Sequence, residues 1–267
     1  HTAFTSGGFT LGDPGITGIG LNETGDDFVA WNWKANGSGS ANSNGSTNST
    51  VSANTDAGFS IVSYTGTGSN ATVGHGLSVA PEMVIVKSRS IVESWICYTE
   101  ATGNTGYLPL NATSAFSSSS TMFNNTSPTA SLFTVGTNNA TNSNTQTYIA
   151  YCFHSVDDYS KVGSYVGNGS TDGTFIYTGF RPAYVMWKET SAGTHGWMIH
   201  DNARSTYNPS SNYLRAESAA PEGSYPFADF TSNGFKQRHT STWANGNGVN
   251  YIYIAFAETP FKYSNAK

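Results

Sequence analysis

The sequence predicts an all-β chain: two tandem antiparallel β-sandwich repeats, jelly-roll-like, preceded by a hairpin from a truncated repeat. Three observations lead there. One strand-like phrase occurs three times, as Phe28-Val29-Ala30-Trp31, Tyr148-Ile149-Ala150-Tyr151 and Tyr253-Ile254-Ala255-Phe256, and internal repetition outranks any single motif. Only 11% of residues are charged while 13% are aromatic, and Gly, Ser, Thr and Asn are abundant, which suits many short strands joined by polar turns. The apolar runs of the C-terminal half replay those of the middle at an offset of about 100 residues.

Residues 1–57 read as the tail of a preceding repeat followed by a linker. Gly8-Phe9-Thr10-Leu11 parallels Leu132-Phe133-Thr134-Val135 and Gly234-Phe235-Lys236-Gln237, and each is followed by a polar turn and then the repeated strand. In that strand Val29, Trp31 and Trp33 should share a face, as should Ile149, Tyr151 and Phe153. The opposite face, with Ala30, Ala150 and Ala255, leaves room for another layer. Residues 35–55 are almost wholly Ala, Asn, Gly, Ser and Thr, without a charge. So little apolar surface does not offset the entropy of ordering, so a linker or long exposed loop is expected. Pairing with identical neighbours in a multimer is the other reading.

Repeat 1 spans 58–158 and repeat 2 spans 159–267. Phe59-Ser60-Ile61-Val62-Ser63-Tyr64 alternates as a half-buried strand does. Pro81-Glu82-Met83-Val84-Ile85-Val86-Lys87 is a strand opened by proline, a permitted place, and Pro182-Ala183-Tyr184-Val185-Met186-Trp187-Lys188 replays it. Ser94-Trp95-Ile96-Cys97-Tyr98 returns as Gly196-Trp197-Met198-Ile199-His200, and Tyr107-Leu108 as Tyr213-Leu214. Mid-strand tryptophans at Trp95 and Trp197 belong in a core. The spacing suggests sandwiches of about six or seven strands each.

Several function classes are disfavoured. The formal net charge is −5 and the cations are scattered, so no basic stripe serves a phosphate backbone and no nucleic-acid partner is expected. No apolar run approaches the roughly 18 residues of a membrane span. The first residues lack the regions of a signal peptide, and without an initiator methionine the chain reads as a processed product or a fragment. Cys97 and Cys152 read as small buried hydrophobes, because their counterparts, Ile199 and Ala257, are not cysteines. Without a CxxC pair, and with Asp26-Asp27 and Asp157-Asp158 outside any calcium-loop spacing, no metal site is expected.

No GxSxG elbow, HExxH or P-loop is present and the histidines do not recur between repeats, so the chain reads as a non-enzyme without a cofactor. A carboxylate pair for glycoside cleavage would leave no spacing in sequence. Candidate contact residues are Trp243, in a hairpin loop whose counterparts lack tryptophan, and Asp201, Arg204 and Tyr207. Loop aromatics on β scaffolds often make contacts, and an Arg beside Asp and Tyr suits a carboxylate or a sugar. The plainer alternatives are a tryptophan folded back on its own domain and an Asp/Asn turn with a solvent-facing Arg.

Val29-Ala30-Trp31-Asn32-Trp33-Lys34-Ala35-Asn36-Gly37, Tyr148-Ile149-Ala150-Tyr151-Cys152-Phe153-His154, Gly179-Phe180-Arg181-Pro182-Ala183-Tyr184-Val185-Met186 and Ala255-Phe256-Ala257-Glu258-Thr259-Pro260-Phe261-Lys262 are distinctive together. Over essentially its whole length the chain resembles an uncharacterised repeat domain of large structural proteins of tailed, mostly marine, bacteriophages. The resemblance implies a virion component: the C-terminal part of a tail fibre or surface appendage that displays loops for host attachment. Implied partners are other virion proteins, a host-surface glycan or protein, and further copies of the chain, trimers being common among tail fibres. The implied location is the virion surface after assembly in the host cytoplasm, where cysteines stay reduced. A capsid decoration protein that clamps the shell is the first alternative. A carbohydrate-binding module or depolymerase is the second.

Overall fold

The computed structural model describes residues 3–5, 8–12, 22, 24–191 and 195–259. It is all-β, and every pair of strands is antiparallel. The chain divides into two compact units, His1–Lys34 and Ala35–Lys267.

The first unit holds a hairpin of β1 (Ala3–Thr5) and β2 (Gly8–Thr10), with Phe4 opposite Phe9 in the register. Phe9 is on a strand as expected, but that strand pairs back to Ala3–Thr5 rather than forward to Phe28. Residues 26–36 carry no strand, although Val29, Trp31 and Trp33 are half-buried and alternate with exposed Phe28, Ala30 and Asn32. Alternation decides which side chains turn inward; a strand also needs a neighbour in register, which one sequence window does not supply.

The second unit opens with β3 (Ser40–Asn42) and β4 (Ser49–Asn54). Repeat 1 follows as β5 (Phe59–Thr65), β6 (Ala71–Gly74), β7 (Met83–Ser88), β8 (Ile96–Thr99), β9 (Gly103–Pro109), β10 (Ser117–Ser118), α1 (Ser120–Phe123), β11 (Leu132–Val135), α2 (Asn139–Asn142) and β12 (Thr147–Phe153). Repeat 2 is β13 (Ser160–Val166), β14 (Phe175–Tyr177), β15 (Pro182–Glu189), β16 (Met198–Asp201), β17 (Ser210–Arg215), β18 (Gly223–Thr231), β19 (Gly234–Gln237) and β20 (Asn250–Ala257).

The duplication holds at the level of topology. Strands β5, β12, β7, β8 and β9 lie side by side in that order, and β13, β20, β15, β16 and β17 repeat it. A second layer faces each sheet: β6 paired with β11, and β14 paired with β19. Between the layers of repeat 1, Val62, Tyr64, Val84, Val86 and Tyr148 meet Val73 and Phe133. In repeat 2, Tyr165, Val185, Trp187, Tyr251 and Tyr253 meet Ile176 and Phe235. The long β18 joins β17 to β19, so the sheet of repeat 2 continues into its second layer.

Register corrects the alignment read from sequence. Tyr148 stands opposite Tyr64, and Tyr251 opposite Tyr165, so Tyr148 corresponds to Tyr251, and Ala150 and Cys152 to Tyr253 and Ala255. The structural correspondence differs from the sequence alignment by two residues. Because strand side chains alternate, such a slip keeps every residue on its face.

The segment 35–55 is not a linker. Strand β4 pairs with β5 along Ser49–Asn54 and β3 pairs with β4. Val51 enters the core with Ala53 packed beside it, while Ser52 Oγ donates to Gly37 O at 2.8 Å and accepts from Asn36 N at 2.8 Å. Thr47 N also bonds Thr72 O, at 3.1 Å. An arm laid on a preformed edge needs few apolar residues, because the ladder satisfies its backbone and one face does the burying.

The large-residue faces of the two main sheets form an interface between the repeats. Phe153 meets Phe256 edge-on with ring centroids 6.1 Å apart. Trp197 Nε1 donates to Pro109 O at 2.9 Å, Lys188 Nζ to Thr113 O at 3.1 Å and Phe116 N to Thr190 O at 3.0 Å. Met186, Ile252, Ile254 and Phe256 are buried on this face. Trp197 is fully buried, as a core tryptophan should be, whereas Trp95 is half-buried and stacks on Tyr151. Cys97 and Cys152 are free and buried, on opposite faces of strands separated by β7. Two strand spacings, about 10 Å, exceed the reach of a disulfide.

Candidate functional site

Trp243 lies in the loop between β19 and β20, and that loop is pinned from below. Asn245 is fully buried; its amide donates to Ser170 O and Asn168 Oδ1, both at 2.8 Å, and accepts from Asn168 N at 3.0 Å. Tyr165 OH donates to Ala244 O and Tyr251 OH to Thr242 O, each at 2.7 Å. The tryptophan is therefore on a fixed platform. Its ring is half-buried against the core, with the Arg215 guanidinium 5.6 Å from the ring centroid and the His195 ring at 4.9 Å. The fold-back reading describes it: the indole packs on its own domain, with the Arg215 guanidinium over its ring.

Around it stands a buried ionic cluster that sequence reasoning missed. His195 Nδ1 is 2.5 Å from Glu189 Oε2, and its Nε2 is 3.2 Å from Thr242 Oγ1. Glu217 Oε2 accepts from Trp197 N at 2.9 Å, and its Oε1 lies 4.0 Å from Arg215 Nε. The fully buried Lys188 donates to Glu189 O at 2.7 Å. Burial pulls its amine down to about 8, against the opposing pull of Glu189 and Glu217. Glu189 is held by His195 and Glu217 by the Trp197 N–H, while Glu217 Oε1 is buried without a hydrogen bond among the described residues; the cluster acts as a clasp beside the inter-repeat interface. Its members are dispersed in sequence, which is why no spacing announced it.

Asp201, Arg204 and Tyr207 stand at the other end of the β16–β17 pair. The register sets Met198 opposite Arg215 and His200 opposite Tyr213, so the turn after Asp201 and the Arg215 end are separated by about 10 Å of strand. Arg204 is mostly buried: Nε donates to Asp201 Oδ2 at 2.7 Å, and the two terminal nitrogens to Glu222 Oε2 at 2.8 Å and Ile199 O at 3.2 Å. Arg204 N also donates to Asp201 Oδ1 at 2.9 Å. This pair is a turn clamp rather than a solvent-facing arginine. Tyr207, by contrast, is 85% exposed. The four candidates thus do not converge: Trp243 is at one end, and the other three at the opposite one.

Two clefts occupy equivalent places on the two main sheets. One, of about 350 Å³, is lined by Asn48, Thr50, Ser63, Thr65, Arg89 and Thr147. The other, of about 380 Å³, is lined by Ser164, Thr190, Asn250 and Ile252 together with Thr102 and Phe116 of repeat 1. The equivalence follows from the registers, which match Ser63 with Ser164 and Thr147 with Asn250. The matching bonds Arg89 N to Thr147 O and Thr190 N to Asn250 O pair Arg89 with Thr190. Sequence gave no sign of either cleft, since hydroxyl residues are everywhere in this chain.

A further exposed feature lies on repeat 2. Val166, Phe175 and Tyr177 are 52%, 45% and 66% exposed along the edges of β13 and β14. In repeat 1 the corresponding edges are covered by the β3–β4 arm.

No curated protein and no solved structure matches the chain. Residues 1–260 match the model of one family, and the chain, a pair of duplicated β-sandwiches with an arm and a leading hairpin, belongs to that family, described as Domain of unknown function (DUF7483).

Proposed function

We propose that the chain is a rigid display module of a virion surface protein, part of a tail fibre or surface appendage of a tailed bacteriophage. It holds loops out for attachment to a host-surface glycan or protein. The observation that supports this reading is the buried interface between the repeats, with Phe153 on Phe256 and Trp197 bonded to Pro109. Two sandwiches joined this way form a stiff post, which an adhesive fibre needs in order to bear load on loops fixed as firmly as the Trp243 loop. The resemblance of the strand phrases to phage structural proteins supplies the setting. In that setting the chain is surrounded by other virion proteins and by further copies of itself.

The test is binding of the fluorescently labelled chain to intact candidate host cells, with whole virions as competitor. Saturable binding that virions displace is the expected result. Failure to bind any host, with retention on purified capsids, would refute attachment and leave shell decoration as the function. Release of reducing ends from a host polysaccharide would instead place the chain among depolymerases.

A further inference from the structure

The chain has five arginines. Arg181, Arg204, Arg215 and Arg238 each lie beside a carboxylate of the protein. Arg89 does not: among the described residues it makes no ion pair, and it is exposed at the cleft of repeat 1. Around it the side chains of Asn48, Thr50, Ser63, Thr65 and Thr147 line the same cleft. No hydrogen bond within the described protein uses any of those five polar side chains, although the backbone N–H of Thr147 is bound by Ser90 Oγ. One cation without a counter-ion and five unused neutral donors and acceptors therefore face a common space.

We infer that this cleft binds an acidic saccharide unit, a uronate or sulfated sugar, with Arg89 on its anionic group and the amide and hydroxyl side chains on its sugar hydroxyls. A guanidinium meets a carboxylate or sulfate through two parallel hydrogen bonds. Hydroxyls that both donate and accept suit a ligand whose own groups do the same. A volume of about 350 Å³ is at the small end of ligand pockets, matching one or two sugar rings rather than a peptide. A single arginine on a chain of net charge −5 does not suit a polyphosphate backbone. Strands β4, β5 and β12 carry Thr50, Ser63, Thr65 and Thr147, Asn48 directly precedes β4, and Arg89 directly follows β7 with its backbone N–H bonded to Thr147 O, so the backbone beneath these groups is fixed before the ligand arrives.

The second repeat supplies an internal control. At the equivalent cleft Arg89 is replaced by Thr190, whose Oγ1 is already bonded to Asn250 O at 3.2 Å, and Phe116 forms part of the wall. That cleft keeps the Ser164 hydroxyl but has no cation. The chain should then hold one acidic-saccharide site, not two. The inference rests on the display reading only for where such a sugar would be met.

The experiment is isothermal titration of the full chain with a galacturonate oligosaccharide, its neutral galactose counterpart and inorganic sulfate. Expected is saturable binding of the acidic oligosaccharide at one site per chain, at least tenfold weaker for the neutral one. Arg89→Thr should lose at least tenfold in affinity, and Arg238→Thr should not change it. Equal binding by Arg89→Thr, no binding of any acidic sugar, or sulfate binding as tightly as the oligosaccharide would each overturn the proposal. The two readings fail separately: host-cell binding by a chain that shows no Arg89-dependent sugar binding removes this site but leaves display intact. Arg89-dependent sugar binding by a chain that ignores host cells does the reverse.

Discussion

Each repeat keeps one fully buried asparagine in the segment before its last strand, Asn142 at the end of α2 and Asn245 in the β19–β20 loop. Asn142 Nδ2 donates to Gly136 O at 2.7 Å and Ser69 O at 2.6 Å, and its Oδ1 accepts from Thr67 N at 2.8 Å. Asn245 holds the corresponding turn of repeat 2. In a chain so rich in asparagine these two could not be picked out beforehand; only their burial separates them from the rest. His200 is a second such residue. It is enclosed between Trp187, stacked at 4.6 Å, and Phe227, with Nδ1 3.2 Å from Ser210 Oγ. Burial first, and the Arg204 charge second, lower its imidazole from 6.5 to about 3. Between those values the unfolded chain takes up a proton that the folded chain refuses. Its contribution to stability is therefore complete above about pH 6.5 and is lost as pH falls toward 3. Urea unfolding should show a loss of about 2 kcal/mol from this site between pH 7 and pH 5, and His200→Phe should flatten that slope. An unchanged slope in the variant would show that acid acts elsewhere.

At the scale of elements, the arm is where composition misleads. Residues 35–55 have the make-up of a linker, yet β4 forms a six-residue ladder on β5 and inserts Val51 beside Gly76. Gly76 has φ +72, and a Cβ there would sit 2.6 Å from Val51 Cγ1, so glycine serves both the backbone and the packing. Val51→Ala should lower stability by about 1–3 kcal/mol in urea unfolding. Thr50→Ala, one residue away on the exposed face, should change it by less than about 0.5 kcal/mol. Equal, negligible effects from both would mean the arm is a loose tether. The strands of the two repeats, in contrast, were legible: β5, β7, β8 and β12 and their counterparts carry the alternating or fully apolar runs that sequence reasoning relied on. The second layers, with three- and four-residue strands such as β14 and β6, were harder to see because so short a window holds two periods at most.

At the scale of the molecule, duplication does not mean independence. Trp197 of repeat 2 bonds Pro109 of repeat 1, and Lys188 bonds Thr113, so separating the repeats would take the partner from an indole N–H and leave the lysine only its bond to Glu189 O. The unit Ala35–Lys267 should unfold in one calorimetric transition, with calorimetric and van't Hoff enthalpies equal. Two resolved transitions would show that the interface is not cooperative. Trp197→Ala should cost about 3–5 kcal/mol and is the variant in which two transitions could be made to appear.

The sequence by itself determined the all-β class, the duplication, the faces of the repeated strand and the burial of both cysteines. Each of these depends on local periodicity or on comparison of one stretch with another, and a period-two pattern survives even a misaligned register. Only the tertiary structure decided that Phe28–Trp33 is not a strand while Ser49–Asn54 is, because a strand exists through a partner far away in sequence. It also separated Trp243 from Arg204, closed Arg204 onto Asp201 and Glu222, and left Arg89 without a carboxylate partner among the described residues. Those are facts about which side chains meet, and meeting is set by how layers stack, not by the order of residues along the chain.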